Sequence, residues 1–543
     1  MSDTPAVRAA TAPLPAPQAA LLHAGPAASS AADLAEGCAT GPALACAAGP
    51  STGDSTRSAA APAAGDPLDD DVLIVGAGPA GLALACALAD LGLRVCVLEQ
   101  QPLAAIAHPA DDGREIALTH RARGVMSRLG LWPALPADLI SPLREARVLD
   151  GLQAERGLAA ALRFGPEHAR RTPAHTRTRT DTHTDTQAGQ AGQARQTDDD
   201  VLGWLVPNHA IRAAAWQAAS HRAGIRIEAE ARVLALQLPA AAGAAAAAGP
   251  FPRPAPSPAP APAPALATLT LADGRVLRAA LVVAADSRLS TVRRMAGIGA
   301  AMHDFGRSVI VAPVAHARDH GGIAWECFRY GNTLALLPLT QQRSSAVVTL
   351  PTHAMADWMA LDDTAFSARI AQQCGGRLGA MAPAGPRHGY PLVAVYAHRF
   401  IAPRFALVGD AAVGMHPVTA HGYNFGLYGI EVLATQLQQA LQATARVTAV
   451  RDDGAPATGH GGRLAQVPAA ALQAALAHYQ REHRQRTLPV FAGTQAVVGL
   501  YTDERGPARL LRRAVLGIAE HLPPVNRLIK QAVTRQLTGS ATA

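Results

Sequence analysis

Two short stretches, far apart in the chain, hold residues whose types and spacing could do chemistry. The first is Gly76-Ala77-Gly78-Pro79-Ala80-Gly81, directly after the apolar run Asp71–Val75. Glycines at this spacing permit a tight turn, let phosphate groups approach the backbone, and let the next helix pack closely on the strand. The helix start adds unpaired N–H groups and a positive dipole end. Glu99 closes the next apolar run, 18 residues after Gly81, where a carboxylate can accept hydrogen bonds from a ribose diol. This predicts a dinucleotide site and leaves FAD and NAD both open. The second stretch decides for a flavin. Arg404–Val408 runs into Gly409-Asp410-Ala411-Ala412 and then His416-Pro417-Val418-Thr419-Ala420-His421-Gly422-Tyr423-Asn424-Phe425-Gly426. Gly409 allows close backbone approach, and Asp410 emerges where a ribityl hydroxyl could be held. A helix starting near Gly422 would aim its N–H groups at the flavin edge that gains negative charge on reduction.

These residues need a strand–helix–strand frame to hold them. The pattern predicts strands at Asp71–Val75 and Leu93–Leu98 around a helix at 80–91, a β–α–β unit. Helix is expected over Ile116–Leu129 and Asn208–His221, and strand at Ala146–Leu149, Ile225–Leu236, Thr268–Leu271 and Val276–Val283. Residues 306–350 have strand character, in runs at Ser308–Val314, Ile323–Tyr330, Thr333–Leu337 and Ser345–Leu350. A strand–turn–helix spans Arg404–Gln439, and helices cover 468–537. No internal repeat is present.

Of the 543 residues, four stretches of low complexity, roughly 1–70, 166–200, 239–265 and 444–466, are expected outside the core. What remains suffices for one large or two medium domains and excludes a small binding module, a collagen-like chain and a disulfide-stapled secreted domain. The formal charge is +7, and 47 of the 48 basic residues are arginine, Lys530 being the exception. Part of the excess sits in the Thr/Arg tract around Arg170–Arg179, so the charge argues weakly for nucleic acid and none is expected as a partner. The six cysteines show no CxxC and no zinc spacing, and read as reduced thiols of a cytosolic protein. His316 and His320 fall in a loop without an HExxH pattern, so no metal is expected. No run reaches the roughly 18 apolar residues of a membrane span, and the N-terminus lacks the pattern of a secretory signal.

Five segments carry a family likeness: GAGPAG with Glu99; DGREIALTHRARGVMSRLGLW around Arg114; AADSRLSTVRR around Asp286; HGGIAWECFRYGNTLALLPL around Trp325–Phe328; and GDAAVGMHPVTAHGYNFGL. In this order they resemble the FAD-dependent aromatic hydroxylases, and within them the ubiquinone-biosynthesis hydroxylase family. Weaker likeness continues through Tyr479-Gln480-Arg481. Two positions depart from the pattern: Ser287 follows Asp286 where glycine is usual, and Val413 stands where many relatives carry histidine. The chain therefore resembles a divergent branch.

The resemblance implies an α/β fold: a discontinuous Rossmann-like FAD-binding domain of the glutathione-reductase/p-hydroxybenzoate-hydroxylase type, with a β-sheet substrate domain and C-terminal helices. On this sequence the FAD-binding parts would be 71–145, 208–300 and 401–442. The substrate domain would be 146–207 and 301–400, with a flexible loop at 443–467 and helices over 468–543. Gly76, Gly78, Gly81 and Glu99 would hold the ADP half of FAD. Arg114 would reach its phosphates, Asp286 would lie near the pyrophosphate, and Gly409 and Asp410 would meet the ribityl chain. Pro417, Gly422 and Asn424 would sit against the ring, and His416 and His421 flank that turn as candidates for substrate or flavin contact. Trp325 and Phe328 would fill the interface between the substrate sheet and the flavin domain.

The implied activity is monooxygenation of a polyprenyl-phenol or quinol through a C4a-hydroperoxyflavin, with O₂ as co-substrate and NADH or NADPH as reductant. Leu334–Leu339 and the C-terminal helices would give the polyprenyl tail an apolar exit. Cytoplasmic location with peripheral contact at the inner membrane, and partners in a quinone-biosynthesis complex, would follow. A hydroxylase of a small soluble phenol and a non-catalytic FAD-binding assembly protein are the alternatives. A halogenase would need a lysine beside the pocket, and Lys530 is near the end of the chain.

Overall fold

A computed structural model of the chain describes residues 70–150, 162–165, 201–240, 266–328, 331–416, 422–451 and 463–502. The expected low-complexity insert at 166–200 lies outside these residues, as do that at 239–265 apart from its first two residues and the head apart from Asp70. Strand β1 (Val72–Val75) is buried at every position, as an apolar run without alternation must be. It breaks at Gly76, whose φ of +110° only glycine adopts readily. Helix α1 (Pro79–Ala89) begins with proline, where a missing N–H loses no bond. It is buried from Gly81 to Leu88, and the chain returns as β2 (Val95–Leu98), parallel to β1.

Helix α2 (Leu103–Ala107), β3 (Glu115–Leu118) and α3 (His120–Arg128) follow. The helix expected over Ile116–Leu129 thus loses its first turn to a strand, because the Thr119 hydroxyl caps α3 by accepting from the Ala122 N–H. Next come β4 (Ser141–Leu143), β5 (Glu145–Asp150), β6 (Leu162–Phe164), β7 (Gly203–Pro207) and α4 (Asn208–Ser220). The strand expected over Ile225–Leu236 is two, β8 (Ile225–Glu228) and β9 (Val233–Gln237), with Glu230 at φ +56° turning the chain between them. After β10 (Ala267–Leu271), the run Val276–Val283 also divides, into β11 (Val276–Ala279) and β12 (Leu281–Ala284), which join different sheets.

A short helix α5 (Thr291–Met295) precedes the long β13 (Ala300–His316), then β14 (Ile323–Phe328), β15 (Thr333–Pro338) and β16 (Arg343–Pro351). Helices α6 (Met355–Met359) and α7 (Asp363–Gln373) lead to β17 (Met381–Pro383), β18 (His388–Ala397), β19 (Ile401–Ala402), β20 (Phe405–Leu407) and β21 (Val413–Gly414). Two long helices complete the described chain, α8 (Gly422–Arg451) and α9 (Ala469–Thr502). Helix α8 takes up the first residues of the loop expected at 443–467.

Two sheets dominate. The first has the order β19-β20-β12-β1-β2-β8 and is parallel from β20 through β8, so three separated segments of chain build one sheet. The second has the order β21-β18-β13-β16-β15-β14-β5-β6, with β17 also on β13. One face of this second sheet is closed by α6 and α7 around Ile310, Leu336, Val348 and Phe366. Its other face carries a smaller apolar group, Val309, Val311 and Leu392 with Phe305, Val347 and Tyr390. Helix α9 is tied to the first sheet, the Tyr479 hydroxyl donating to the Leu407 carbonyl at 2.6 Å.

Candidate functional site

The two glycine bends meet. Gly409 follows β20 at φ +58°, and a Cβ placed on it would stand 3.0 Å from the Ala80 side chain at the start of α1. Gly426 of α8 is also near, its added Cβ falling 3.5 Å from the Gly409 Cα. The first and third glycines of the early turn are needed for packing. A side chain at Gly76 would strike Ala285 and Asp286, and one at Gly81 would run into the Gly76 carbonyl. Gly78 is different: a Cβ there meets nothing within 4 Å. It opens onto space at the helix N-terminus, and no side chain caps that end. An anion can dock there.

Glu99 is held at the end of β2 by two backbone donors, Oε2 accepting from the Ala77 N–H at 2.8 Å and Oε1 from the Gln101 N–H at 3.1 Å. Asp286 stands beside the same turn. Its Oδ2 accepts from the Thr291 N–H at 3.0 Å, whereas its Oδ1 is buried with no partner among the described residues. A ligand donor would satisfy that oxygen. Asp410 Oδ2 accepts from Arg288 Nη2 at 3.0 Å, and its Oδ1 lies near Gly422, the first residue of α8. The open Gly78, the unpaired Asp286 oxygen and the α8 start beside Asp410 are groups of the kind that hold an elongated dinucleotide such as FAD, and the residues fit that group.

Other expected site residues are placed differently. The Asn424 amide is fully engaged within the protein: Oδ1 accepts from Thr119 N–H and hydroxyl at 3.0 and 3.2 Å, and Nδ2 donates to the Ala117 carbonyl at 2.7 Å. Its role here is to fix α8 against β3 and α3. Arg114 pairs with Asp112 at 2.5 Å and lies over the Tyr390 ring, on the sheet side of the site. Burial alone would raise Asp112, but the bonds from Arg114 and from Asn208 outweigh it and hold the carboxyl below its usual range. Neighbouring Glu115 moves the other way, pushed up to about 8 by burial and then by Asp111 and Asp112. His416 is buried with its ring edge on Phe305, centroids 4.8 Å apart. Burial, aided by Arg288, lowers its imidazole to about 4, so it is neutral at pH 7. Pro417 and His421 lie outside the described residues.

Several functional candidates escaped the sequence reading. Arg288 and Arg293 both belong to the Asp286 segment. Arg293 is buried and donates to the Ala411 carbonyl at 3.0 Å, while Arg288 also reaches the Val393 carbonyl at 3.1 Å. They fasten the segment to the Asp410 bend and to β18. Glu326, on β14, faces the same side of the second sheet as Val347 and Val311. A charged residue inside an apolar strand was the signal that could have found it.

Three expectations are corrected. Trp325 packs on the α6–α7 side of the sheet, beneath Arg147, so only Phe328 faces the flavin domain; residues three apart in a strand point to opposite faces. Within Leu334–Leu339, Leu334 and Leu336 are likewise packed behind the sheet, so the run offers no continuous apolar exit. His316 ends β13 instead of lying in a loop. Its ring meets the Arg318 carbonyl and the Ser344 hydroxyl, and His320 meets the Leu339 carbonyl. Among the described residues no group of three or more metal-ligating side chains comes together.

Comparison with known proteins agrees with this geometry. The FAD binding domain family matches residues 69–139 and 265–451. The chain is 36% identical to ubiquinone hydroxylase UbiM of Neisseria meningitidis serogroup C over 87% of this chain and 85% of that protein. It is 31% identical to ubiquinone hydroxylase UbiL of Rhodospirillum rubrum, over 84% and 88% of the two chains. Among solved structures, PqsL, a probable FAD-dependent monooxygenase from Pseudomonas aeruginosa, shares the fold. Its TM-score is 0.54 at 21% identity, covering 86% of this chain and 99% of that one.

Proposed function

The chain belongs to the ubiquinone-hydroxylase family of FAD-dependent monooxygenases, and from that premise we propose that it hydroxylates the aromatic ring of a polyprenylated ubiquinone precursor. The observation that carries the reading is the meeting of the Gly409 bend with the start of α1, which brings both glycine motifs to one cradle. Bound FAD would pass electrons from NADH or NADPH to O₂ and supply the oxygen that the ring receives.

The chain's own residues do the rest. Gly78, the α1 N-terminus, Glu99 and Asp286 would take the ADP half, Asp410 would take the ribityl chain, and the α8 N-terminus would favour negative charge on the reduced ring. Arg114, which pairs with Asp112 over the Tyr390 ring, would be the cation nearest to hand for the phosphates. His416, neutral and buried against Phe305, holds the wall between cofactor and sheet. The apolar row through Val311, Val347 and Ala335 keeps water from the reacting atoms. The same row disfavours a small anionic substrate, because its charged member, Glu326, is a carboxyl and not a cation. Among the described residues no helix is long and apolar enough to cross a membrane. A polyprenyl substrate dwelling in the bilayer calls instead for peripheral contact, and for partners that pass quinone intermediates along.

Deleting the gene should cause a quinone precursor short of one ring hydroxyl to accumulate, read by mass spectrometry of extracted lipids. An unchanged quinone profile would sink the ubiquinone assignment.

A further inference from the structure

Residues directly opposed on neighbouring strands share a sheet face. One such row runs His388, Val311, Val347, Ala335, Glu326, Val148 through β18, β13, β16, β15, β14 and β5. Phe305 of this face meets His416, and Tyr390 donates to the Asp112 carbonyl at 2.6 Å, so the face looks onto the flavin domain. Along β14 the neighbours of Glu326 on this side are Ala324 and Phe328. Glu326 is half-buried on this interior strand, with Ala335, Val148, Ala324 and Phe328 as its neighbours on the face, and burial alone raises its carboxyl to about 7. No cation or donor among the described residues offsets that burial. A group in this position weakens the fold and suits a ligand hydroxyl.

We propose that Glu326 binds the ring hydroxyl of the phenolic substrate and takes its proton during turnover. This rests on the hydroxylase reading above and names the group that recognises the substrate. The phenolic O–H bond breaks, the proton goes to a Glu326 carboxylate oxygen, and the electron pair left behind feeds the ring as its carbon takes up oxygen. The attacked carbon then sheds its hydrogen to water, and the Glu326 proton returns to the oxygen it came from. Glu326 is the carboxylate again, and the oxygen atom and the oxidation come from O₂ reduced by NADH or NADPH through bound FAD, so the proton steps need no reactant beyond those.

The test compares FAD-loaded wild type with Glu326→Gln, using a phenol carrying two isoprene units. In wild type, kcat/KM should rise through a pKa near 7, the base form being the active one. In E326Q that limb should vanish and kcat/KM fall about 10- to 100-fold, with FAD content unchanged. A second readout needs neither FAD nor substrate. An unfolded glutamate titrates near 4.5 and the folded one near 7, so between those values the fold holds a proton that the unfolded chain has released. Wild type should lose Tm relative to E326Q as pH rises across that window. A wild type that uses the phenol while E326Q keeps its rate and pH limb overturns this inference alone. A wild type that binds FAD and leaves the phenol untouched overturns the hydroxylase reading and this inference with it. A Tm difference that stays flat from pH 4.5 to 7 overturns the buried carboxyl itself.

Discussion

Arg288 donates to Asp410 at 3.0 Å across 122 residues of chain, joining the segment that follows β12 to the bend that follows β20. Both lie at the seam between the two large sheets, because Arg288 also reaches the β18 carbonyl of Val393. Asp410→Ala removes the proposed ribityl acceptor and the Arg288 partner together, and the protein should purify colourless. Arg288→Ala keeps Asp410 and removes its partner together with the bond to the Val393 carbonyl. It should remain yellow with its FAD Kd raised about tenfold, as expected for losing one charged hydrogen bond. Flavin absorbance per mole of protein reads both, and a fully yellow D410A contradicts the role of Asp410.

Gly78 and Gly81 separate cofactor binding from folding. A methyl at Gly78 meets no protein atom within 4 Å, so Gly78→Ala should keep its Tm within about 1 °C and lose FAD affinity as the methyl blocks the pyrophosphate. Gly81→Ala forces a methyl into the Gly76 carbonyl and should lower stability by about 1–3 kcal/mol, with or without flavin. Thermal unfolding of the apo proteins distinguishes them. Equal Tm losses would refute the assignment.

His416 and His483 make the fold sensitive to acid. Burial lowers both to about 4, against 6.5 for an ordinary imidazole. As pH falls, the unfolded chain therefore takes up protons first. The stability that rests on the two neutral imidazoles is fully present above pH 6.5 and drains away down to about 4, by roughly 3 kcal/mol for each histidine, against the opposite slope of the raised Glu115 and Glu326 carboxyls. Urea unfolding at stepped pH should show this slope, reduced by about half from the pair when His483→Gln is introduced. An unchanged slope would place the acid sensitivity elsewhere.

Asn424→Ala breaks the bonds to Thr119 and Ala117 and leaves their polar groups without that partner. The expected loss is about 1–3 kcal/mol, together with faster FAD release as α8 loses its hold on α3. Asn424→Asp keeps the acceptor side and should fall between wild type and alanine. Dissociation of FAD followed by flavin fluorescence measures the effect.

The nucleotide-binding frame was legible because its signals are local. Gly76, Gly78, Gly81 and Glu99 fall within one β–α–β unit, and Gly409-Asp410 announces itself by glycine at a strand end. Arg288 and Arg293 were not legible as site residues, since what defines them is a partner more than a hundred positions away. The strand breaks at Glu230 and Ala280 were missed because neither residue is a usual turn former, and sheet membership on either side decided them. Trp325 was put on the wrong face because alternation alone does not say which side of a sheet the flavin domain covers. Glu326 was passed over for the same reason. Asn424 was seen, but its ties to Thr119 and Ala117 belong to tertiary structure.

The hydroxyl of Tyr479 rests on the Leu407 carbonyl, and the Gln480 side chain accepts from the Phe400 N–H at 2.7 Å. Helix α9 is thereby a brace clamped to the last strand before Asp410. A truncation that ends the chain ahead of this helix would strand those backbone groups and slacken the floor beneath the flavin, even though every residue named in the cradle would still be present.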